Sequence, residues 1–299
     1  NTGMAVVIVG AGIAGVSAAE ELRKTSPKAE IILISNETEL PYYRISLTHY
    51  LAGDVQPDQF AIHPESWYTD QQIDMRLGID VTAVNPVLKT VTLSSGDVLD
   101  YDRLVLTPGS RPFVPPISGT NLSKVYTLRT RRDADNILVD CKGAKVVCIG
   151  GGLLGLEAAG ALVRQGANVT VLETLNWLIP RQLNKKAAGI FQAFVERLGI
   201  SVRTAVKIKE LRGEGNVRSV LLEDGSEIPA DMVIISAGVR SNTSLAVQAN
   251  IKVNQGIQVD EYMRTSQPGI YSAGDSAEHN GVLYGTWAPA LAQGIIAGA

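Results

Sequence analysis

The sequence predicts an α/β fold of two three-layer domains, and three observations predict it. A β-branched run, a glycine-rich turn and an Ala/Leu-rich helical stretch occur together at residues 6–20 (VVIVGAGIAGVSAAE) and recur at 146–160 (VVCIGGGLLGLEAAG). Each copy continues into a second apolar run that ends at an acid. The 299 residues also exceed the ~100–200 that usually form one domain.

Bulk composition narrows the function classes. Hydrophobic residues at 45% and charged residues at 19% describe a folded chain with enough apolar surface for two cores. With 27 Lys+Arg against 30 Asp+Glu and no basic run, no surface for a phosphate backbone is expected, which excludes nucleic acid as a partner. The apolar run at residues 5–9 is far shorter than the ~20 residues that span a bilayer and has no basic leader. A cytoplasmic protein with no membrane partner is the expectation. Asn1, Thr2 and Gly3 precede Met4 and are set aside as residue of a tag. Cys141 and Cys148 form no paired motif, so both are expected as free thiols and no metal site is expected.

The first module runs strand, G-x-G-x-x-G, helix, which makes it Rossmann-like. Gly10 makes the tight turn, Gly12 lets the backbone approach a pyrophosphate and Gly15 allows close helix–strand packing, with Ala11 and Ala14 between them. The free N–H groups and positive dipole end of the helix then favour the anion without a basic side chain. One such turn alone is as readily structural; two in matched context read as two nucleotide sites. The following apolar run reaches Glu37, close to the ~20-residue spacing at which a carboxylate accepts hydrogen bonds from a ribose diol. A solvated acid at a strand end is the plainer reading.

The second module repeats the logic with Gly150, Gly151, Gly152, Leu153 and Gly155, and its second strand ends at Glu173. An acid there repels a 2′-phosphate, and no Arg occurs from Thr174 to Trp177, so NADH is expected over NADPH.

These duplicated fingerprints, with the segment Thr265-Ser-Gln-Pro-Gly-Ile-Tyr-Ser-Ala-Gly-Asp275, resemble the pyridine-nucleotide-dependent flavoprotein oxidoreductases built from an FAD and an NAD domain. The resemblance covers essentially the whole chain. It implies that the first fingerprint binds FAD, the second NADH, and that Gly274 and Asp275 return to the flavin cofactor, with Asp275 accepting from ribityl hydroxyls. Residues 104–110 (LVLTPGS) and 234–239 (IISAGV) resemble the family's crossovers between domains, placing Gly109 near FAD and Gly238 near NAD. Pro108 removes a backbone donor from the first of them. The expected FAD domain is therefore discontinuous, 4–112 and 240–299, with the NAD domain 113–239 inserted into it. Residues 289–299 read as a helix, after which relatives continue into a C-terminal interface domain that is absent from this sequence.

The loop at residues 41–49 (PYYRISLTH) lies where disulfide reductases of this superfamily carry a redox cysteine pair, and it has no cysteine. It is similar instead to the corresponding loop of NADH:rubredoxin and ferredoxin reductases and of the reductase module of assimilatory nitrite reductase large subunits. The resemblance implies that Arg44 contacts FAD and that His49 falls where relatives often carry a Lys beside the flavin; a surface histidine is the alternative. Glu157, where the first copy has Ser17, is read as a first-turn acid that must face away from the pyrophosphate. The resemblance turns it toward the flavin and nicotinamide, paired with His49 as the catalytic couple. Val81 at the adenine, Arg129 in the segment 127–130, and Trp287 near the isoalloxazine ring are carried over in the same way, Trp287 reading equally well as core.

The implied activity is hydride transfer from NADH to FAD, then electron release to a protein acceptor, either a separate carrier or a fused domain, with a homodimer in a full-length form. A NADH-responsive flavoprotein sensor or scaffold without turnover is the alternative from a different class.

Overall fold

The computed structural model of the protein describes residues 3–299; Asn1 and Thr2, set aside above, lie outside the described residues. The chain divides into two compact units. The first comprises the residues up to Tyr43, Asp58–Arg111 and Arg240–Ala299, the second Arg44–Pro57 and Pro112–Val239.

The chain opens on β1 (Ala5–Val9), whose residues Val6 to Val9 are all buried, as an unbroken apolar run requires of a strand covered on both faces. Helix α1 (Ile13–Thr25) follows at once. It begins at Gly12 in an extended conformation and ends with Arg23 and Lys24, whose charges suit the negative end of the helix dipole. After β2 (Glu30–Ile34) come two short helices, α2 (Leu47–Ala52) and α3 (Glu65–Asp70), then β3 (Ile73–Arg76). The antiparallel sheet of β4 (Val81–Asn85), β5 (Thr90–Leu93) and β6 (Val98–Asp100) precedes β7 (Arg103–Leu106), which pairs in parallel with β1.

Beyond β8 (Ser110–Pro112) and β9 (Val125–Tyr126), helix α4 (Arg131–Asp140) starts with a reciprocal cap. Thr130 Oγ1 accepts from the Asp133 N–H at 3.1 Å while the Asp133 carboxylate accepts from the Thr130 N–H at 2.8 Å. Then β10 (Lys145–Ile149), α5 (Leu153–Arg164) and β11 (Asn168–Leu172) repeat the opening pattern. Helix α6 (Lys185–Arg197), capped by the Asn184 side chain, leads to β12 (Ser201–Arg203). The antiparallel set β13 (Ile208–Glu214), β14 (Asn216–Leu222) and β15 (Glu227–Pro229) precedes the fully buried β16 (Met232–Ile235). The second unit's sheet is parallel, in the order β12-β11-β10-β16-β9.

The chain then passes through β17 (Val239–Ser241), α7 (Ser244–Gln248), β18 (Ile257–Val259), β19 (Ile270–Ser272), β20 (Ala277–His279) and α8 (Trp287–Gly298). β19 completes the first unit's parallel sheet, in the order β19-β7-β1-β2-β3. In both units the glycine turn follows the central strand, so the helix N-terminus is presented at the strands' C-terminal edge, where such sheets bind nucleotides.

Residues 44–57, which the sequence places within the first domain, pack with the second unit. Leu51 is fully buried in a cluster with Ile137, Leu156 and Leu162, Tyr50 Oη donates to Asp135 at 2.5 Å, and Gln165 Nε2 donates to the Leu51 carbonyl at 3.0 Å. A short helix goes where its buried apolar side chains, here Leu47 and Leu51, are covered. Among the described residues, no helix is long and apolar enough to cross a membrane.

Candidate nucleotide-binding sites

In the first unit β1 delivers the chain into Gly10, whose φ of 99° lies in the left-handed region that glycine alone adopts without strain. A Cβ on Gly15 would sit 1.9 Å from the Gly10 carbonyl oxygen, so only glycine lets α1 start this close to the strand. Thr107 fastens the turn from the neighbouring strand end: its Oγ1 lies 2.8 Å from the Val9 oxygen and 2.9 Å from the Gly10 oxygen. With no acidic residue in the first turn, the free N–H groups after Gly12 face an anion site without competition. Ala11 is half-buried and Ala14 buried beside them.

A cavity of about 350 Å³ opens at this turn, lined among others by Gly10, Ile34, Asn36, Val81, Pro108 and Asn242. Val81 thus borders the same space as the glycine turn. Gly109, at a φ of 68°, accepts from the Asn242 N–H at 2.9 Å, and Asn242 Nδ2 donates to the Pro108 oxygen at 2.9 Å.

Gly274 and Asp275 come back to α1 from the far end of the chain. A Cβ on Gly274 would lie 2.9 Å from that of Ala14, and its N–H donates to Gln293 Oε1 at 2.8 Å. Asp275 accepts from Ser110 Oγ at 2.9 Å, and its main-chain oxygen from Ser241 Oγ at 2.6 Å. Glu37 stands half-buried with Tyr42 Oη 2.5 Å from its carboxylate. Trp287 opens α8 with its ring centroid 6.1 Å from that of Tyr43, and its buried indole N–H has no partner in the protein. The glycine cradle with the cavity at its turn fits a dinucleotide, and the orphaned buried indole N–H of Trp287 is a donor left for a polar ring.

In the second unit Gly150 (φ 116°) turns the chain after β10, and a Cβ on Gly155 would fall 2.3 Å from the Gly150 oxygen. The geometry of the first turn is therefore repeated. Leu153 and Leu154 stand exposed at the mouth of α5, as apolar walls for a ligand would. Glu173 is buried; one carboxylate oxygen accepts from the Gly151 N–H and the other from the Leu175 N–H, both at 2.8 Å. Gly238, exposed at a φ of 94°, follows β16, and its oxygen accepts from the Phe113 N–H at 2.8 Å. Both glycine turns thus have the form that would hold a pyrophosphate.

Glu157 and His49 are both exposed on this unit, but different residues meet them. Because α5 begins at Leu153, Glu157 falls just past the first turn and not within it as the sequence predicts. It accepts from Thr48 Oγ1 at 3.2 Å. His49 Nδ1 stands 3.4 Å from Asp54, which also takes two hydrogen bonds from Arg164 at 2.8 and 2.5 Å. Those Arg164 contacts hold the Asp54 carboxyl below its ordinary range, with His49 adding to the effect. On α2 the register turns Thr48 to Glu157 and His49 to Asp54. Arg44 Nη1 donates to the Arg129 carbonyl at 2.6 Å, and the Arg129 N–H donates to Asp133 at 2.8 Å. Arg44 and Arg129 are therefore neighbours.

Several residues here escaped the sequence reading: Thr107, Tyr42, Asn242, Gln293, Thr48 and Asp54. Only Thr107, in a strand-to-glycine crossover, carried a local signal. Cys141 and Cys148 are buried free thiols on the second unit; burial raises both, Cys148 to about 12. Neither is poised as a nucleophile. Among the described residues no cluster of His, Cys, Asp and Glu could hold a metal.

The family model for pyridine nucleotide-disulphide oxidoreductases matches residues 4–294. The chain is 36% identical over 290 residues to a nitrite reductase [NAD(P)H] of Bacillus subtilis, covering 96% of this chain and 36% of that protein. It is 36% identical over 288 residues to a rubredoxin-NAD(+) reductase of Pseudomonas putida, covering 95% of this chain and 74% of the other. The NADH:rubredoxin oxidoreductase from Clostridium acetobutylicum superposes with a TM-score of 0.86 at 30% identity, over 99% of this chain and 74% of that one. The chain spans little more than a third of the length of the nitrite reductase it matches. The duplicated glycine turns and these likenesses agree: the chain belongs to the pyridine nucleotide-disulphide oxidoreductase family, whose members bind FAD and NAD(H).

Proposed function

We propose that this chain is an NADH-oxidising FAD reductase module that passes hydride from NADH to FAD and then electrons to a protein acceptor. The observation that carries the reading is the presence, in one chain, of two glycine-lined helix N-termini of matched geometry, each with its own parallel sheet. When bound, FAD supplies a two-electron acceptor that can discharge one electron at a time.

The residues divide the work. Gly10, Ala11, Gly12, Ala14 and Gly15 hold the FAD pyrophosphate, Glu37 its ribose, and Val81 its adenine. Gly109, Gly274 and Asp275 position the ribityl chain, and the Trp287 indole N–H meets the ring system. Arg44 and Arg129 add positive charge for cofactor binding. Gly150, Gly151, Gly152, Leu153 and Gly155 hold the pyrophosphate of NADH, Glu173 its ribose, Gly238 its far end, and Glu157, held by Thr48, orients the nicotinamide, with His49, held by Asp54, as a separate side chain. Both cysteines are buried and raised, and none lies in residues 41–49, so electrons leave the flavin directly and not through a thiol pair.

The acceptor is a carrier of the rubredoxin or ferredoxin kind, or a domain joined to this one, as the names of the relatives suggest. We place the protein in the cytoplasm, as a homodimer, with the second domain inserted in sequence between the two parts of the first and taking residues 44–57 with it. Anaerobic addition of NADH to the yellow protein tests the reading. Stoichiometric bleaching of the flavin, followed by turnover when rubredoxin or ferredoxin is added, is expected. Protein that binds no flavin, or flavin that NADH leaves oxidised, overturns it; bleaching without turnover on any carrier points to the sensor role.

A further inference from the structure

In the second unit the acid at the strand end is tied into the loop it faces. Glu173 is buried, with its main chain held on both sides: its N–H donates to the Arg203 oxygen at 2.9 Å and its oxygen accepts from the Val206 N–H at 3.2 Å. Its side chain then takes the N–H groups of Gly151 and Leu175, one on each oxygen, both at 2.8 Å. Gly151 is confined further. A Cβ there would lie 2.6 Å from Leu178 Cδ2 and 3.0 Å from Glu173 Oε2, and its carbonyl accepts from the Ile179 N–H at 3.0 Å. The first unit is built differently, with Ser35 directly after β2 and the carboxylate of Glu37 meeting Tyr42 Oη.

We infer that Glu173 is the positioning residue of the second glycine loop: its carboxylate bridges the Gly151 and Leu175 N–H groups and so presets the loop that receives the nucleotide. A charged acceptor suits two converging N–H donors, and such bonds are the strong ones. Glutamine keeps one acceptor oxygen and turns an NH2 group toward the other N–H, leaving a donor facing a donor in a buried place. Aspartate keeps the charge but is one methylene too short to reach both. Replacement therefore loosens the loop and weakens binding of NADH and NADPH alike, whereas a residue acting only by charge at the ribose would shift one against the other.

This rests on the second loop binding NADH, and the test separates the two. Amide exchange is followed in the FAD-loaded protein without nicotinamide nucleotide. In the wild type the Gly151 and Leu175 amides are expected to be protected; in Glu173→Gln they exchange about tenfold faster or more, while Val147 and Val171 in the strands keep their rates. Dissociation constants for NADH and NADPH both rise about tenfold in Glu173→Gln and in Glu173→Asp. Wild-type Gly151 and Leu175 amides exchanging like an open loop overturn the inference, and that measurement needs no variant to fold. So does Glu173→Gln that binds NADH as the wild type does and merely gains NADPH. Flavin that NADH fails to bleach would remove the functional reading while leaving the amide result standing.

Discussion

Thr48 on α2 donates a hydrogen bond of 3.2 Å to Glu157 on α5, so the exposed carboxylate proposed to orient the nicotinamide is itself held by a hydroxyl from a segment far away in the sequence. Removing the carboxylate should disturb geometry more than affinity. Glu157→Ala is expected to slow flavin reduction by NADH about 10- to 100-fold, the scale on which misplacement by an ångström acts, with Thr48→Val giving a smaller loss in the same direction. Rapid-mixing absorbance checks this; an unchanged reduction rate in Glu157→Ala removes the residue from the mechanism.

Leu51 anchors α2 with no exposed surface. Leu51→Ala should cost about 2–5 kcal/mol through the cavity it leaves, seen as a lower melting temperature and faster amide exchange at Thr48 and Tyr50. A melting curve identical to the wild type would show that α2 is not held by this side chain.

Asp54 links α2 to α5 through Arg164, and its carboxyl is held low first by the hydrogen bonds from that guanidinium. A depressed folded-state value means that the stabilisation is present above the unfolded value of ~3.9 and is lost as pH falls through the folded value. Both groups are solvated, so the effect is small and weakens with salt. The acid-side fall in melting temperature should therefore be shallower in Asp54→Asn than in the wild type at low ionic strength, and the difference should shrink at high salt. Parallel acid limbs would refute the linkage.

Trp287 presents a buried indole N–H without a protein partner. Trp287→Phe keeps an aromatic face and removes the donor, so it should weaken FAD retention by up to about tenfold, the effect of one hydrogen bond, with a changed flavin absorption band. Equal flavin dissociation constants would mark Trp287 as packing alone.

The lack of an Arg from Thr174 to Trp177, which leaves no cation there to receive a 2′-phosphate, predicts selectivity for the nucleotide without one. The wild type should show kcat/KM at least about tenfold higher with NADH than with NADPH. Comparable efficiency with both nucleotides is the outcome that would sink this.

By itself, the sequence determined the α/β class, the two glycine turns and the acids that follow their second strands. These depend on short-range chemistry: Gly10 and Gly150 are needed where φ is positive, Gly15 and Gly155 where a Cβ would strike a carbonyl, and unbroken apolar runs where a strand is covered on both faces. Only the tertiary structure decided that residues 44–57 pack with the second unit, that Thr48 and not His49 meets Glu157, and that Glu173 closes onto Gly151. The first two outcomes turn on which buried cluster covers Leu51 and on how α2 is rotated against α5, contacts between residues some 100 positions apart that no local pattern encodes; the third turns on the fold of the loop after β11, which brings the Glu173 carboxylate onto the Gly151 N–H.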